Sequence, residues 1–206
     1  YNLNPSKPII LFAPSWGGKY SENCGISNLK YLNNINNVIA VPHPADYKIA
    51  RRMNTIIPKK NDGISKFLHL SDIIVSDISS VLAEACLIDK PVIQIELTTY
   101  PGCFPETDKR GEEPWISKEI LEEEKNTTNR IERPFKLPYI DEDWILGHTC
   151  KPEKLSETIK LVIDEKEKFS SNRKYWAEQC CWKFDGNISN RMLDMIEYFI
   201  DKNVPV

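Results

Sequence analysis

The first half of the chain is built on a rhythm that leaves few folds open. Short, strongly apolar runs recur at Lys7-Pro8-Ile9-Ile10-Leu11-Phe12-Ala13, Val38-Ile39-Ala40-Val41, Ile73-Ile74-Val75 and Lys90-Pro91-Val92-Ile93-Gln94-Ile95. A brief Thr55-Ile56-Ile57 run lies between the second and third of these. Each run is too short for a helix and reads as a buried strand. The intervening stretches carry helical periodicity, and strands alternating with helices in this way imply a mostly parallel, doubly wound α/β sheet with helices on both faces. Strand order does not follow from the pattern.

Ile26, Leu29, Leu32 and Ile35 recur every three residues, which predicts a helix lying on the sheet. Further helices are expected over Tyr47–Met53, over a segment holding Ile64, Phe67 and Leu68 with Asp62 as its cap, and over Val81–Ile88. The C-terminal third reads as helical: Pro152–Ile163 with Leu155, Ile159, Val162 and Ile163 on one broad face, then Phe169–Trp182, then Asn187–Ile200 with Met192, Ile196 and Phe199 in step. Thr98–Asp143 is irregular and rich in Pro, Glu, Lys and Arg, the composition of a lid or interface loop or of a solvated insertion.

With 206 residues the chain is sized for a single domain. It has 27 basic and 30 acidic residues, a formal charge of -3, so no net positive field argues for nucleic acid. No apolar run has transmembrane length and no secretory signal pattern opens the chain. It starts at Tyr1 without methionine, as expected of a processed piece or excised fragment. Cys24, Cys86, Cys103, Cys150, Cys180 and Cys181 fit neither a zinc framework nor a regular disulfide scaffold. Reduced, mostly structural thiols and a cytosolic setting are expected.

Ligands of open α/β sheets collect outside the carboxyl ends of the strands. That rule draws together the Pro14–Gly18 loop with Trp16 and Gly17, the Pro42-His43-Pro44 segment, and the Asp77-Ile78-Ser79-Ser80 turn. Ser79 and Ser80 open a helix, where hydroxyls and unpaired N–H groups hold phosphate or simply cap the helix. Asp77 would repel an anion, so it organises the turn or faces a ribose, ammonium or metal. Glu84 can reach a ribose hydroxyl pair or merely complement the helix dipole. His43, held between two prolines, can donate to a phosphate or transfer a proton to a leaving group; the alternative is packing against a helix. His69 and His148 read as structural or surface residues. Lys19, Arg51, Arg52 and Arg191 are candidate anion partners. Arg191 follows the Asp185-Gly186 turn, and its helix is expected to project it back toward the sheet edge; the alternative is an exposed helical arginine.

Leu11-Phe12-Ala13-Pro14-Ser15-Trp16, Pro42-His43-Pro44, Ser76-Asp77-Ile78-Ser79-Ser80-Val81, Lys90-Pro91-Val92-Ile93 and Phe184-Asp185-Gly186 with Arg191, in that order, resemble the CDP-glycerol glycerophosphotransferase family. The resemblance implies a Rossmann-like domain, the C-terminal half of a GT-B fold, with residues 1–206 forming one nucleotide-donor-binding domain and the N-terminal acceptor domain absent. It implies transfer of a polyol phosphate, such as glycerol phosphate, from a CDP-activated donor to a lipid-linked or polymer acceptor at the inner face of the membrane, without metal or other cofactor. His43 and Arg191 then correspond to catalytic positions, and Trp16, Gly17, Pro42, His43, Asp77, Ser79, Ser80, Glu84 and Arg191 to donor contacts. This chain alone is expected to bind donor and transfer little. A GT-B glycosyltransferase using a nucleotide sugar for capsule or lipopolysaccharide, and a non-catalytic nucleotide-binding module, are the alternatives.

Overall fold

The computed structural model describes residues 3–16, 25–77, 79–96, 145–181, 183 and 185–201. Five strands form one sheet: β1 (Ile10–Phe12), β2 (Val38–Ala40), β3 (Ile73–Ser76), β4 (Val92–Ile95) and β5 (His148–Cys150). Their order is β2-β1-β3-β4-β5, and every neighbouring pair is parallel. In register, Leu11 lies opposite Ile39 on one side and Ile74 on the other, so β1 is the central rail of the N-terminal half.

The pleat sorts each strand's side chains onto two faces, and both are buried. On one face Ile10, Phe12, Val38, Ala40, Ile73, Val75, Ile93 and Ile95 pack with Ile26, Leu29 and Leu32 of a 3-10 helix (Gly25–Leu32) and with Leu155, Ile159 and Val162. The last three belong to α4 (Leu155–Asp164), entered through a 3-10 turn at Pro152–Lys154. On the other face Leu11, Ala13, Ile39, Ile74 and Val92 meet α2 (Ser65–Leu70), α3 (Val81–Leu87) and Ala177 of α5 (Ser170–Cys180). The expected α/β architecture, a mostly parallel sheet covered on both faces, is the one observed. A four-residue α1 (Tyr47–Ala50) follows β2, and α6 (Ile188–Asp201) is the last of the described elements. Among the described residues no helix is long and apolar enough to cross a membrane.

Several elements differ from expectation for identifiable reasons. The three-residue spacing of Ile26, Leu29 and Leu32 is the 3-10 period itself, and the segment is a 3-10 helix. Thr55–Ile57 makes only one bridge, Ile39 to Ile56, rather than a strand. Asp62 does not cap α2, whose N-cap position is Ile64; its carboxylate instead accepts the Lys59 N–H at 3.1 Å and pairs with Lys66 at 3.1 Å. His148 lies on a fifth strand that the sequence did not announce. Cys86 and Cys150 are buried free thiols and Cys181 is a half-buried one. Cys24, Cys103 and the 98–143 region lie outside the described residues.

Candidate functional site

The strand order reverses at β1: the chain moves outward to β2, then returns past β1 to β3. In a sheet of this order the crevice beyond the carboxyl ends of β1 and β3 is left open by the diverging connections. Two contacts bind its edges together. Ser76 Oγ donates to the Ala13 carbonyl at 2.6 Å, and the Ser15 N–H donates to Asp77 Oδ1 at 2.8 Å. Asp77 is fully buried, and its own carbonyl accepts from Gln94 Nε2 at 3.1 Å. Asp77 therefore braces the loop after β1 against the end of β3.

A cavity of about 510 Å³ opens at this crevice. Pro14, Ser15 and Trp16 from the β1 loop form one wall, and Val41, Pro42, His43, Pro44 and Tyr47 from the β2 exit form another. Ser79 and Val81 contribute from the start of α3, and Pro58, Lys59, Lys60, Asp62, Gly63, Ile64 and Phe67 complete the lining. This volume is within the range of small-molecule sites. Of the residues singled out from sequence, Trp16, Pro42, His43 and Ser79 meet here.

Pro42 is buried and His43 exposed, so the prolines present the imidazole at the mouth. Its Nδ1 accepts the Ala45 N–H at 3.3 Å. The neutral ring then carries its proton on Nε2, where it is available as a donor. The Trp16 ring lies 6.3 Å from the His43 ring, tilted by 36°, and remains 44% exposed, a flat apolar surface at the lip. Among the described residues Ser79 Oγ makes one long contact, accepting the Val81 N–H at 3.4 Å. Ser15 Oγ is buried without a hydrogen-bond partner among the described residues.

Ser80 occupies the N-cap position of α3 but makes no side-chain cap bond, and it is exposed beside the cavity without lining it. Glu84 sits in the first turn of α3, half-buried and likewise outside the lining. With seven residues α3 is short, and Ser80 adds no side-chain cap to its N-terminus. Arg191 is not brought to the cavity. It pairs with Asp185 Oδ1 at 2.9 Å and Oδ2 at 3.0 Å, and it belongs to α6, of which no residue is buried. That pairing holds the Asp185 carboxyl below its ordinary range, the Arg191 hydrogen bond being the main cause. The expected return of Arg191 toward the sheet edge is thus replaced by a local arginine–aspartate clasp. Gly17 and Lys19 lie outside the described residues.

Sequence reasoning missed the 58–64 loop. Ile56, bridged to Ile39, delivers this loop to the same sheet end as His43, and Gly63 takes a positive φ of 65° that suits the turn. Pro58-Lys59-Lys60-Asn61-Asp62-Gly63, directly after an apolar run, is a strand-end loop by the same rule that found the others.

Residues 1–101 match the family described as CDP-Glycerol:Poly(glycerophosphate) glycerophosphotransferase. No curated protein matches the chain. Among solved structures it is similar to the wall teichoic acid polymerase TagF, with a TM-score of 0.59 at 16% identity, covering 98% of this chain and 45% of that one. A histidine variant of the same polymerase soaked with CDPG gives a TM-score of 0.58 at 16% identity, covering 98% of this chain and 44% of that one. The chain spans less than half the length of these structures, and at such identity the likeness establishes a shared fold.

Proposed function

We propose that the cavity binds the nucleotide-activated donor of a polyol-phosphate transferase, and that this chain is the donor-binding, C-terminal half of a GT-B enzyme. The supporting observation is the convergence of Trp16, His43 and Ser79 on one cavity at the switch point of a parallel sheet. The family match over residues 1–101 and the CDPG soaked into the related polymerase favour a CDP-activated polyol, such as CDP-glycerol, over other donors.

In the reaction an acceptor hydroxyl attacks the donor's β-phosphorus. A new phosphate ester forms to the acceptor, the bond from β-phosphorus to the bridging oxygen breaks, and CMP leaves with that oxygen's electron pair. The hydroxyl proton passes to a base that the acceptor side supplies. In this reading His43 Nε2–H donates to the departing phosphate, and the Ser79 hydroxyl to a second oxygen. Fixed donors aimed at developing charge in a partly closed cavity contribute several kcal/mol to such a step. Asp77 acts beneath them by holding the Ser15 backbone. Arg191, clasped to Asp185 on α6, reaches a donor only if α6 is repositioned, and its catalytic role rests on sequence resemblance alone. A lipid-linked or polymer acceptor would be bound by the other half of the enzyme, at the inner face of the membrane.

Calorimetric titration of the chain with CDP-glycerol, CMP and UDP-sugars tests the reading. Binding of CDP-glycerol and CMP is expected, with His43→Ala weakening it about tenfold, the scale of a lost hydrogen bond to a charged group. Preference for a UDP-sugar would point to a glycosyltransferase instead. No nucleotide binding at millimolar concentration would refute the assignment.

A further inference from the structure

The charges lining the cavity are not balanced. Its ionisable side chains are His43, Tyr47, Lys59, Lys60 and Asp62. The one carboxylate is already engaged: Asp62 Oδ1 lies 3.1 Å from Lys66 Nζ, and Oδ2 accepts the Lys59 N–H at 3.1 Å. Lys66 is the main reason that this carboxyl sits below its ordinary range. Neither the Lys59 nor the Lys60 ammonium forms an ion pair with a carboxylate among the described residues, although the Lys59 charge also acts on Asp62 through space. Both side chains are exposed at the cavity.

The loop carrying these lysines is well tethered. Pro58 is buried at its start, the Asp62 N–H donates to the Lys59 carbonyl at 2.9 Å, and Phe67 is buried just beyond it. An ammonium on a fixed loop loses less freedom on meeting an anion than one on a loose segment. Apart from the His43 imidazole, no basic side chain other than these two lysines lines the cavity among the described residues, and Arg191 is turned to Asp185 instead.

We propose that Lys59 and Lys60 are the cationic contacts for the phosphate groups of the cavity's ligand, facing the His43 and Ser79 wall. This assignment rests on the donor-site reading and names the residues that supply its positive charge. It follows that the lysines recognise the anionic part of the donor and contribute nothing to the nucleoside part.

The test is calorimetric titration of the full 206-residue chain with cytidine, CMP and CDP-glycerol, for the unaltered protein, Lys59→Ala, Lys60→Ala and the double variant. Each single change is expected to weaken CDP-glycerol about threefold to tenfold, between an exposed ion pair and a charge-assisted hydrogen bond, and the double change more. Weak cytidine binding should be unchanged. The dependence of CDP-glycerol affinity on salt should flatten in the double variant. Because neither ammonium supports the fold, thermal melting should stay at the wild-type value. If the double variant binds CDP-glycerol within twofold of wild type while His43→Ala weakens it, the lysine assignment is overturned and the donor site stands. If the unaltered chain binds neither CMP nor CDP-glycerol, both fall together.

Discussion

Replacing Arg173 should unfasten the C-terminal end of α3 from α5 and destabilise the fold. Arg173 is one of the largest fully buried side chains, and its Nε donates to Asp89 Oδ1 at 2.8 Å. Its Nη1 and Nη2 reach the carbonyls of Leu146 and Lys166 at 3.4 and 3.3 Å, and Ser170 Oγ donates to Asp89 Oδ2 at 2.6 Å. Asp89 has a positive φ of 49° in the turn after α3, so this cluster ties the end of α3 to α5 and to the entry of β5. Arg173→Ala removes the guanidinium and leaves the Asp89 carboxylate to Ser170 and to Lys174, whose Nζ is 3.5 Å away. Breaking a fully buried pair costs about 3–5 kcal/mol. Asp89 keeps 28% of its side chain exposed, so water compensates in part and the lower end, about 3 kcal/mol, applies. For a chain of this size that corresponds to a fall in Tm of roughly 6–12 °C. Arg173→Lys keeps the charge but not the planar fork and should cost about half as much.

Urea denaturation of Arg173→Ala, of Asp89→Asn and of the double variant measures the coupling directly. The pH dependence adds a second arm. Burial pushes the Asp89 carboxyl up, but the Ser170 and Arg173 hydrogen bonds together outweigh it and hold the group below its ordinary value of 3.8. A depressed carboxyl stabilises the fold above that ordinary value, and the contribution disappears as pH falls through the folded one. The difference between wild type and Arg173→Ala should therefore be full at neutral pH and shrink below about pH 4. A loss under about 1 kcal/mol at neutral pH, or additive single effects, would refute the idea that this cluster anchors α3.

Gly147→Ala should break the β4–β5 seam: an added Cβ would lie 2.8 Å from the Val92 carbonyl carbon and closer still to its oxygen, and both are backbone atoms that cannot swing aside. A loss of about 3 kcal/mol by urea denaturation is expected, and a neutral effect would contradict the register. His148 is depressed chiefly by burial and by nearby Lys168, against the pull of Glu165, whose Oε2 is 3.2 Å from Nε2. Protonating it costs the folded state, so stability should be full above the ordinary value of 6.5 and decline as pH falls from there toward the folded one. That decline should vanish in His148→Asn, and an unchanged profile would reject the assignment. Ser76→Ala, which strips the buried bond to the Ala13 carbonyl, should cost about 1–2 kcal/mol and weaken CDP-glycerol binding through the β1 loop, measured by denaturation and calorimetry.

Much of the fold was legible because the apolar runs are unambiguous. Ile10–Phe12, Val38–Ala40, Ile73–Ser76 and Val92–Ile95 are strands where the sequence placed them, and their burial on both faces is what their composition demands. His148-Thr149-Cys150 was not legible, since three residues of mixed polarity carry no strand period; the signal was Gly147, whose missing side chain allows the close approach to Val92. The site followed the strand-end rule for Trp16, His43 and Ser79, whose loops leave well-marked strands. Lys59 and Lys60 escaped although the Thr55–Ile57 run before them reads as a strand, because two lysines in a polar loop look like ordinary solvated charge until Ile56, bridged to Ile39, brings the loop to the same sheet end as His43. For Arg191 the sequence leaves two readings open, a return to the sheet edge or an exposed helical arginine. A motif fixes the local turn and its Asp185 clasp, but where a helix docks depends on tertiary contacts, and α6 buries none of its residues among those described.

The central claim, that a nucleotide's phosphates sit at the β1–β3 switch point, is tested most directly by amide chemical-shift mapping of the chain titrated with CDP-glycerol. The account predicts the largest shifts at 13–16, 41–44, 58–64 and 79–81, saturating together with one affinity. Shifts centred elsewhere, or none up to millimolar ligand, would contradict it.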